Sequence, residues 1–399
     1  MQGYKNILLA FFLAEFGKAM FFVTVTWLLY EITNDALYTG ALVSLGFFPG
    51  LILNLVFGVI VDRFNRKNLA VLANVICTIA LSILLLLLFT MNKIEPWLII
   101  GVHMILQVTG SLFRPAIQAF IAEFFEKNQL PKIYSSTSTS SIIGGLLGSL
   151  AGGVIISFIS VAGAISSVTA SFFVSSLLLY VVKNKRIVGS KVIKKPILKD
   201  IRDGFIYIKK NKLLLGLFVI MFNGQLVFHT SVGFLSVYAV EYLFTSVTVY
   251  GFMDATISIG GVVAGILGTW WLQTGKNKIA VVSLLIVLVG LLFVGFAPGL
   301  PVAIVGVFLI GLGTTWIRVL LQSVQQMVTD SEYHGRMASY RMIGNQGSVV
   351  ISAPLLGWIA TNYGGNFIYL SLLIPTSICI IFALFQAKQK ELVKVTKVA

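Results

Sequence analysis

Apolar residues in this chain come in long blocks, each close to the ~20 residues that a helix needs to cross a bilayer. Hydrophobic residues make up 57% of the sequence and charged residues only 11%. A water-soluble domain carries far more charge than that, and folding in water would leave most of the blocks exposed. We therefore predict an all-α integral membrane protein.

Short polar breaks divide these blocks into twelve predicted spanning helices. The predicted spans cover residues 6–31, 38–61, 68–91, 97–122, 133–158, 162–183, 213–240, 248–271, 279–297, 300–327, 338–360 and 366–386. One break is long and basic, and it separates six spans from six. We predict an N-terminal six-helix bundle at 1–183, a cytoplasmic basic linker at 184–212, and a C-terminal six-helix bundle with a short basic tail at 213–399.

The positions of Lys and Arg predict the orientation. With the N-terminus inside, all but five of the 29 Lys and Arg residues fall in segments that face the cytoplasm. The exceptions are Lys93, in an outer loop, and four residues within spans, namely Lys18, Arg114, Arg318 and Arg341. This bias predicts a multi-pass protein of the cell membrane with both termini in the cytoplasm. It also accounts for the net charge of +15 without a nucleic-acid partner.

The predicted linker has the pattern of an amphipathic helix. Ile197, Leu198, Ile201, Phe205 and Ile208 recur at helical spacing, with Lys and Arg between them. Such a helix is expected to lie on the inner leaflet, where anionic membrane lipids attract it. A plain connector between the halves and a regulatory segment are the two interpretations of it.

A basic motif joins the second and third predicted spans and runs Gly58-Val-Ile-Val-Asp62-Arg63-Phe-Asn-Arg66-Lys67. It resembles G-x-x-x-D-R-x-G-R-K, the loop signature of the major facilitator superfamily of membrane transporters. The resemblance implies that Gly58 lets two helices approach closely and that Asp62 meets a positive helix N-terminus. It further implies that Arg63, Arg66 and Lys67 tie a cytoplasmic gate. A basic loop that only anchors the topology is the alternative.

Two positions depart from this signature. Asn65 replaces its glycine, and it is expected to preserve the turn because Asn tolerates left-handed backbone geometry. A second copy of the signature belongs at residues 268–278, where Leu272 replaces the acid. We interpret that segment as a degenerate copy, as expected for a transporter built from repeats.

The fifth predicted span is rich in glycine, at Gly144, Gly148, Gly152 and Gly153. This pattern resembles the antiporter motif of drug-efflux members, G-x-x-x-G-P-x-x-G-G, with Ser149 in place of the proline. The resemblance implies export. Small residues four apart also allow tight helix packing, which is the alternative explanation.

Residues 112–116, Leu-Phe-Arg-Pro-Ala, are similar to the F-x-P-A segment of the macrolide-efflux-like branch, which also includes siderophore exporters. Residues 334–337 and 354–357 fit that branch as well. The resemblance covers nearly the whole chain and implies two pseudo-symmetric six-helix bundles. It also implies a monomer that moves a small-molecule substrate, with protons as the coupling ion. We find no phosphate loop, metal-ligand cluster or catalytic triad, so neither an enzyme nor a cofactor or metal site is expected.

Ionisable residues inside spans are costly and usually face a cavity. They are Glu15, Lys18, Arg114, Asp254, Arg318 and Arg341. Because the first, fourth, seventh and tenth helices line the central cavity in this family, the resemblance implies substrate-binding roles for Glu15, Lys18, Arg114 and Arg318. Further substrate-contact candidates on spans four, seven and ten are Gln107, Phe222, Asn223 and Trp316.

Glu15 is the first candidate for proton coupling, because burial favours the neutral form of a carboxylate. Lys18 lies three residues further on and can pair with it. Asp254 is a second coupling candidate, and its place near a helix end, like that of Arg341, favours a gate or interface role. The alternative for all six ionisable residues is that they form neutral pairs that only fix helix packing. His103 is expected to be a core residue.

Three functions remain open. Spans one, four and ten carry three cations and one anion, which favours an anionic or zwitterionic substrate because Arg binds carboxylates well. Our first hypothesis is therefore proton-coupled export of a carboxylate-rich metabolite, such as an opine-type or siderophore metallophore. The second is a macrolide or multidrug efflux pump of the same fold. The third is a sensor or lipid-handling protein that transports nothing.

Overall fold

The computed structural model describes residues 2–91, 93–126, 129–182, 205–330, 333–390 and 392–393, and all regular structure in these ranges is helical. The predictions for Ile197, Leu198 and Ile201 of the linker therefore lie outside the described residues.

The first six helices are α1 (Gln2–Thr33), α2 (Ala36–Arg63), α3 (Arg66–Thr90), α4 (Pro96–Phe124), α5 (Leu130–Phe158) and α6 (Val161–Val181). Further along the chain lie α7 (Lys212–Gly233), α8 (Leu235–Glu241), α9 (Val247–Ile266), α10 (Gly268–Gly275), α11 (Ile279–Gly295), α12 (Leu300–Val328), α13 (His334–Tyr363) and α14 (Asn366–Ala387). A short 3-10 turn, Lys276–Lys278, joins α10 to α11.

Within the described ranges, eleven helical segments are long and apolar enough to cross a membrane. The predicted span at 338–360 lies inside α13, which has 30 residues and is long enough to cross but is more polar than the others. The seventh predicted span is interrupted at Phe234, between α7 and α8. The eighth is interrupted at Leu267, between α9 and α10. Twelve predicted spans thus correspond to fourteen helices.

Polar residues at several helix starts explain where the spans begin. The side chains of Asp35, Asn65, Ser160 and Asn211 each accept a hydrogen bond from a backbone N–H in the first turn of the helix that follows. A helix leaves its first four N–H groups without partners, and these caps satisfy one of them. The polar breaks in the sequence therefore fix the helix boundaries by local chemistry.

The helices divide into two compact units. One comprises Met1–Ile193 with Thr245–Ala255, and the other comprises Lys194–Phe244 with Thr256–Ala399. The first turns of α9 therefore pack within the first unit. The division into residues 1–183, 184–212 and 213–399 stays a prediction.

The same packing pattern occurs in each unit. In the first, α1 packs against α5 and α6, and α3 packs against α4 and α6. In the second, α7 packs against α13 and α14, and α11 packs against α12 and α14. Since α7, α11, α12, α13 and α14 are the counterparts of α1, α3, α4, α5 and α6, the second half repeats the first, as expected for this type of transporter.

The end of the predicted linker packs onto the second unit. Residues 205–210 are helical, and Ile208 is buried with Leu214, Phe218 and Met337. The Tyr207 hydroxyl donates to the Asp330 carboxylate at 3.0 Å. The linker end is therefore anchored by an apolar contact and a polar one.

Candidate functional site

An ion pair joins the middle of α1 to α4. Nη2 of Arg114 donates to both carboxylate oxygens of Glu15, at 2.9 Å and 3.0 Å. The Glu15 side chain is 10% exposed and that of Arg114 is 53% exposed. The partner expected from the sequence, Lys18, does not form this pair. The arrangement links a buried acid to an accessible cation.

A small cavity lies beside this pair, among α1, α3, α4 and α6. Its volume is about 30 Å³, enough for one or two water molecules. Lys18, Asn74, Cys77 and Thr109 contribute to its lining. Within the described ranges, Lys18 makes no hydrogen bond or ion pair with protein atoms. Lys18 therefore faces the interior of the first unit, where water can solvate it.

His103 lies on α4 and is 3% exposed. Its ring is 6.1 Å from that of Phe21 and 5.8 Å from that of Phe22, measured between centroids. Neither ring nitrogen has a hydrogen-bond partner among the described residues. The aromatic surroundings agree with the core role expected from the sequence.

The two arginines predicted inside the second half lie against uncharged groups. The guanidinium carbon of Arg318 is 4.0 Å from the centroid of the Phe228 ring, a cation–π contact between α12 and α7. Nη1 of Arg341 donates to the side-chain oxygen of Gln325 at 3.1 Å. In these contacts, therefore, neither guanidinium meets a carboxylate.

The other candidate substrate contacts are mostly packed between helices. Trp316 is 6% exposed, and its Nε1 donates to the Ala264 carbonyl at 2.9 Å. Asn223 is buried and donates to the Thr376 hydroxyl at 3.3 Å. These contacts hold both side chains between helices, and Oδ1 of Asn223 is buried without a hydrogen-bond partner among the described residues.

Phe222 and Gln107 are partly buried side chains at helix contacts. Phe222 packs against the apolar cluster around Phe218 and lies over Gly344 of α13. Gln107 lies on α4 beside Gly46 of α2. Their places at contacts within a unit give them a packing role in this conformation.

The basic motif between α2 and α3 makes contacts within the first unit. Arg66 forms an ion pair with Glu123 at the end of α4. Lys67 is 9% exposed, and its Nζ donates to the Tyr180 and Val182 carbonyls, each at 2.6 Å. These two cations therefore tie the start of α3 to the ends of α4 and α6.

Two expectations about this motif are wrong in this conformation. Asn65 has φ −65° and ψ 112°, so it is extended rather than left-handed. It keeps the turn by capping α3, its side chain accepting from the Asn68 N–H at 3.1 Å. Gly58 is exposed, and no atom of the described residues lies within 4 Å of where a Cβ would be. Its lack of a side chain therefore serves no helix contact here.

Asp62 and Arg63 are the other charged residues of the motif. Arg63 is exposed at the end of α2. The side chain of Asp62 lies outside the described residues. The gate role expected for Gly58, Asp62 and Arg63 stays a prediction.

The glycines of α5 form a contact surface for α1. A Cβ at Gly144 would lie 2.7 Å from the Phe12 carbonyl oxygen, and one at Gly148 would collide with that of Phe16. Gly152 lies against Met20 and Val23 in the same way. These distances agree with tight packing of α5 against α1, because only glycine lets two backbones come so close.

The sequence did not indicate the partner of Asp254. Ser149 donates a hydrogen bond to the Oδ2 of Asp254, and the two residues are 2% and 7% exposed. One turn earlier on α9, the Tyr250 hydroxyl lies 2.7 Å from that of Thr26. A polar cluster of α1, α5 and α9 therefore surrounds the second predicted coupling acid. In the sequence, only the hydroxyl-bearing residues Thr26, Ser149 and Tyr250 could have indicated this cluster.

Within the described residues, no group of three or more His, Cys, Asp or Glu side chains is arranged to hold a metal ion. The buried polar groups of the candidate sites are instead the acids Glu15 and Asp254 with their partners Arg114 and Ser149, together with Lys18. Such groups suit the binding of protons and organic solutes.

Comparison with known proteins decides the family. The profile of the Major Facilitator Superfamily matches residues 7–243 and 224–398. The chain belongs to the Major Facilitator Superfamily. It is therefore a multi-pass membrane transporter of small molecules and not an enzyme.

Several members of the superfamily are similar along most of their length. Macrolide efflux protein A of Streptococcus pyogenes is 22% identical over 380 residues, which is 90% of each chain. The multidrug resistance protein MdtG of Klebsiella pneumoniae is 26% identical over 346 residues, covering 84% of this chain and 80% of that protein. The PmrA multidrug efflux pump homologue of Lactococcus lactis is 23% identical over 366 residues, covering 87% and 84%.

Solved structures of other superfamily transporters share the fold. The nucleoside transporter NupG superposes with a TM-score of 0.76 at 13% identity, over 96% of this chain and 100% of that one. A bacterial homologue of the lysosomal transporter Spinster, inward-facing and occupied, gives 0.78 at 11% identity, over 96% of both chains. These similarities confirm the predicted twelve-helix superfamily fold.

Proposed function

We propose that this transporter is a proton-driven exporter of small hydrophobic, drug-like molecules. It works by alternating access in the plasma membrane, with both termini in the cytoplasm. The macrolide and multidrug efflux relatives support export of such molecules. The Lys and Arg bias supports the orientation. We further propose that it acts as a monomer in contact with membrane lipids.

The Glu15–Arg114 pair is the observation that carries the proton-coupling part of this proposal. Ionised Glu15 holds Arg114 through both oxygens, at 2.9 Å and 3.0 Å. A proton on Glu15 removes most of that attraction, because a neutral acid binds a guanidinium far more weakly. Arg114, already half exposed, then leaves the acid. The pair therefore has two states that differ by one proton.

An antiporter needs the proton and the substrate to favour different conformations. We assign the substrate-binding conformation to the paired state, in which α1 and α4 are joined at mid-membrane. Protonation of Glu15 separates the pair and favours release. Lys18 lines the adjacent cavity, which has room for one or two waters that would carry protons to Glu15 in this mechanism.

The same pair changes the argument about substrate charge. On spans one, four and ten, the excess of Lys18, Arg114 and Arg318 over the single acid Glu15 favours an anionic substrate. In the structure, however, Glu15 neutralises Arg114 directly. Lys18 faces an internal cavity among four helices. Neither cation is therefore placed to bind an anion in this conformation, so we put a hydrophobic, drug-like substrate first.

The second candidate function is export of a carboxylate-rich metabolite, such as an opine-type or siderophore metallophore. Its support is the guanidinium of Arg318, which lies over the Phe228 ring. An arginine on an aromatic face can bind a carboxylate while an apolar part of the substrate contacts the ring. On this hypothesis Arg318, Phe222 and Trp316 belong to the substrate site.

Transport into everted vesicles or proteoliposomes separates the two candidates. A radiolabelled macrolide and a carboxylate siderophore are each supplied under an imposed pH gradient, acidic inside. Our proposal predicts gradient-dependent uptake of the macrolide and none of the siderophore. Uptake of the siderophore alone, lost in Arg318→Ala, would establish the second candidate instead. Uptake of both without a gradient would contradict proton coupling.

A further inference from the structure

The buried contact between Ser149 and Asp254 lies apart from the Glu15–Arg114 pair. Ser149 occupies the position of the proline in the glycine motif of α5, and its hydroxyl donates to Oδ2 of Asp254 on α9. The other carboxylate oxygen, Oδ1, is buried and accepts no hydrogen bond within the described residues. A serine is needed here, because proline would offer no donor.

The helices around this contact are packed at backbone distance. A Cβ at Gly251 would lie 3.0 Å from the Ser149 carbonyl oxygen, and one at Gly153 would lie 2.7 Å from that of Val247. At the outer side, the hydroxyls of Ser157 and Thr248 are 2.5 Å apart. Such close packing restricts the access of water to the Asp254 carboxylate from the side of α5, and the residue is 7% exposed.

No cation balances Asp254 among the described residues. The other titratable or charged groups on the helices that pack here are Tyr250 on α9; Tyr4, Lys5, Glu15, Lys18, Tyr30 and Glu31 on α1; Lys132 and Tyr134 near the start of α5; and Arg318 on α12, which packs against later residues of α9. Lys18 is eight residues from Thr26, about 12 Å along the helix axis. Only the Tyr250 phenol is close.

An ionised carboxylate buried without a cation costs several kcal/mol, whereas the neutral acid costs far less. The closed contact therefore favours a protonated Asp254. Separation of α5 and α9 would admit more water to the carboxylate and so favour its ionisation.

We propose that Ser149 and Asp254 form a proton-operated latch, a second proton site that is independent of Glu15. The neutral acid holds residues 247–255 of α9 against α5, and the ionised carboxylate releases them. On release, the proton passes from Asp254 to a water that enters between the helices. The proposed function places both termini in the cytoplasm, and the location of the latch rests on that orientation. With it, the latch lies in the outer half of the membrane and responds to external protons.

Disulfide cross-linking of α5 to α9 measures the latch without substrate or gradient. Cys77 and Cys379 are the only cysteines in the sequence, and Cys77→Ala with Cys379→Ala gives a cysteine-free background. Ser157→Cys and Thr248→Cys then place a thiol pair at the outer end of the contact. The oxidative cross-linking rate is measured from pH 5 to pH 9 in purified, reconstituted protein.

The reaction of the thiols itself depends on pH. At each pH, the cross-linking rate of the protein with Asp254 is therefore divided by the rate of the same protein carrying Asp254→Asn. The latch predicts a ratio near one at pH 5 that falls by at least about tenfold at high pH, as expected when the carboxylate ionises. Asp254→Leu provides a second neutral reference should the asparagine variant aggregate. A ratio that stays constant across this range would overturn the latch.

Glu15→Gln is the matched control, because Glu15 and Asp254 are the buried acids among the described residues of the first unit. It should leave the ratio and its pH dependence unchanged. A ratio that becomes flat in Glu15→Gln would assign the response to Glu15 and overturn an independent latch. Since no transport is measured, failure of the latch leaves export untested, and failure of export leaves the cross-linking result intact.

Discussion

Arg114 binds both carboxylate oxygens of Glu15 through one nitrogen, at 2.9 Å and 3.0 Å, in the middle of α1 and α4. The acid is buried while more than half of the arginine side chain is exposed. Separating the two residues therefore needs no rearrangement of the core around Arg114. This asymmetry makes the pair suited to a reversible change during transport.

The pair should stabilise the first unit modestly. A double-mutant cycle with Glu15→Gln, Arg114→Gln and the double variant should give a coupling of about 1 kcal/mol, since solvent around Arg114 weakens the interaction. Thermal unfolding in detergent provides the measurement. Arg114→Gln alone should cost more stability than the double variant, because it leaves Glu15 without its cation. The reverse order would contradict a direct pair.

The glycine surface of α5 should tolerate side chains at some positions only. Gly148→Ala should lower the free energy of unfolding by about 1–3 kcal/mol, because the added methyl collides with the Phe16 carbonyl. Gly145→Ala is the matched control on the same helix, because among the described residues no atom beyond its own stretch of helix lies within 4 Å of the new Cβ. It should leave the melting temperature unchanged or slightly raised. Equal losses in both variants would show that glycine is needed for another reason.

Lys67 should contribute to stability as well as to charge. Lys67→Met removes two charge-assisted hydrogen bonds to carbonyls at the end of α6, and we expect a loss of about 1.5–3 kcal/mol. Arg63→Met removes an exposed charge from the same motif and should change stability by less than about 0.5 kcal/mol. Thermal unfolding of both variants tests this difference. A larger loss in Arg63→Met would mean that the motif acts mainly through Arg63.

Much of the fold follows from the sequence because each spanning helix is specified locally. Length and apolar content define the spans, and residues such as Asp35 and Ser160 cap the helices at the predicted breaks. The glycines of α5 predict close packing for a similar reason, since a backbone contact requires the absence of a side chain. Asn65 lies in the predicted turn, but its backbone is extended and not left-handed, because its side chain caps α3.

The partners of the buried charges could not be predicted in the same way. Glu15 and Lys18 are neighbours on one helix, so local spacing favoured that pair, yet Arg114 reaches Glu15 from a helix 99 residues away in sequence. Ser149 and Asp254 are 105 residues apart, and only packing brings them together. Trp316 lies on a helix that is predicted to line the cavity, but its Nε1 donates to the Ala264 carbonyl, a contact that the sequence pattern does not indicate.

Proton-driven transport by the Glu15→Gln variant tests the central claim most directly. Proteoliposomes with wild type, Glu15→Gln and the control Glu31→Gln, an exposed acid near the end of α1, are supplied with a radiolabelled macrolide. We predict that Glu15→Gln abolishes accumulation driven by a pH gradient but still allows downhill equilibration, because its neutral side chain cannot exchange a proton. Glu31→Gln should accumulate macrolide like wild type. Undiminished gradient-driven accumulation by Glu15→Gln would contradict the assignment of Glu15 as the coupling acid.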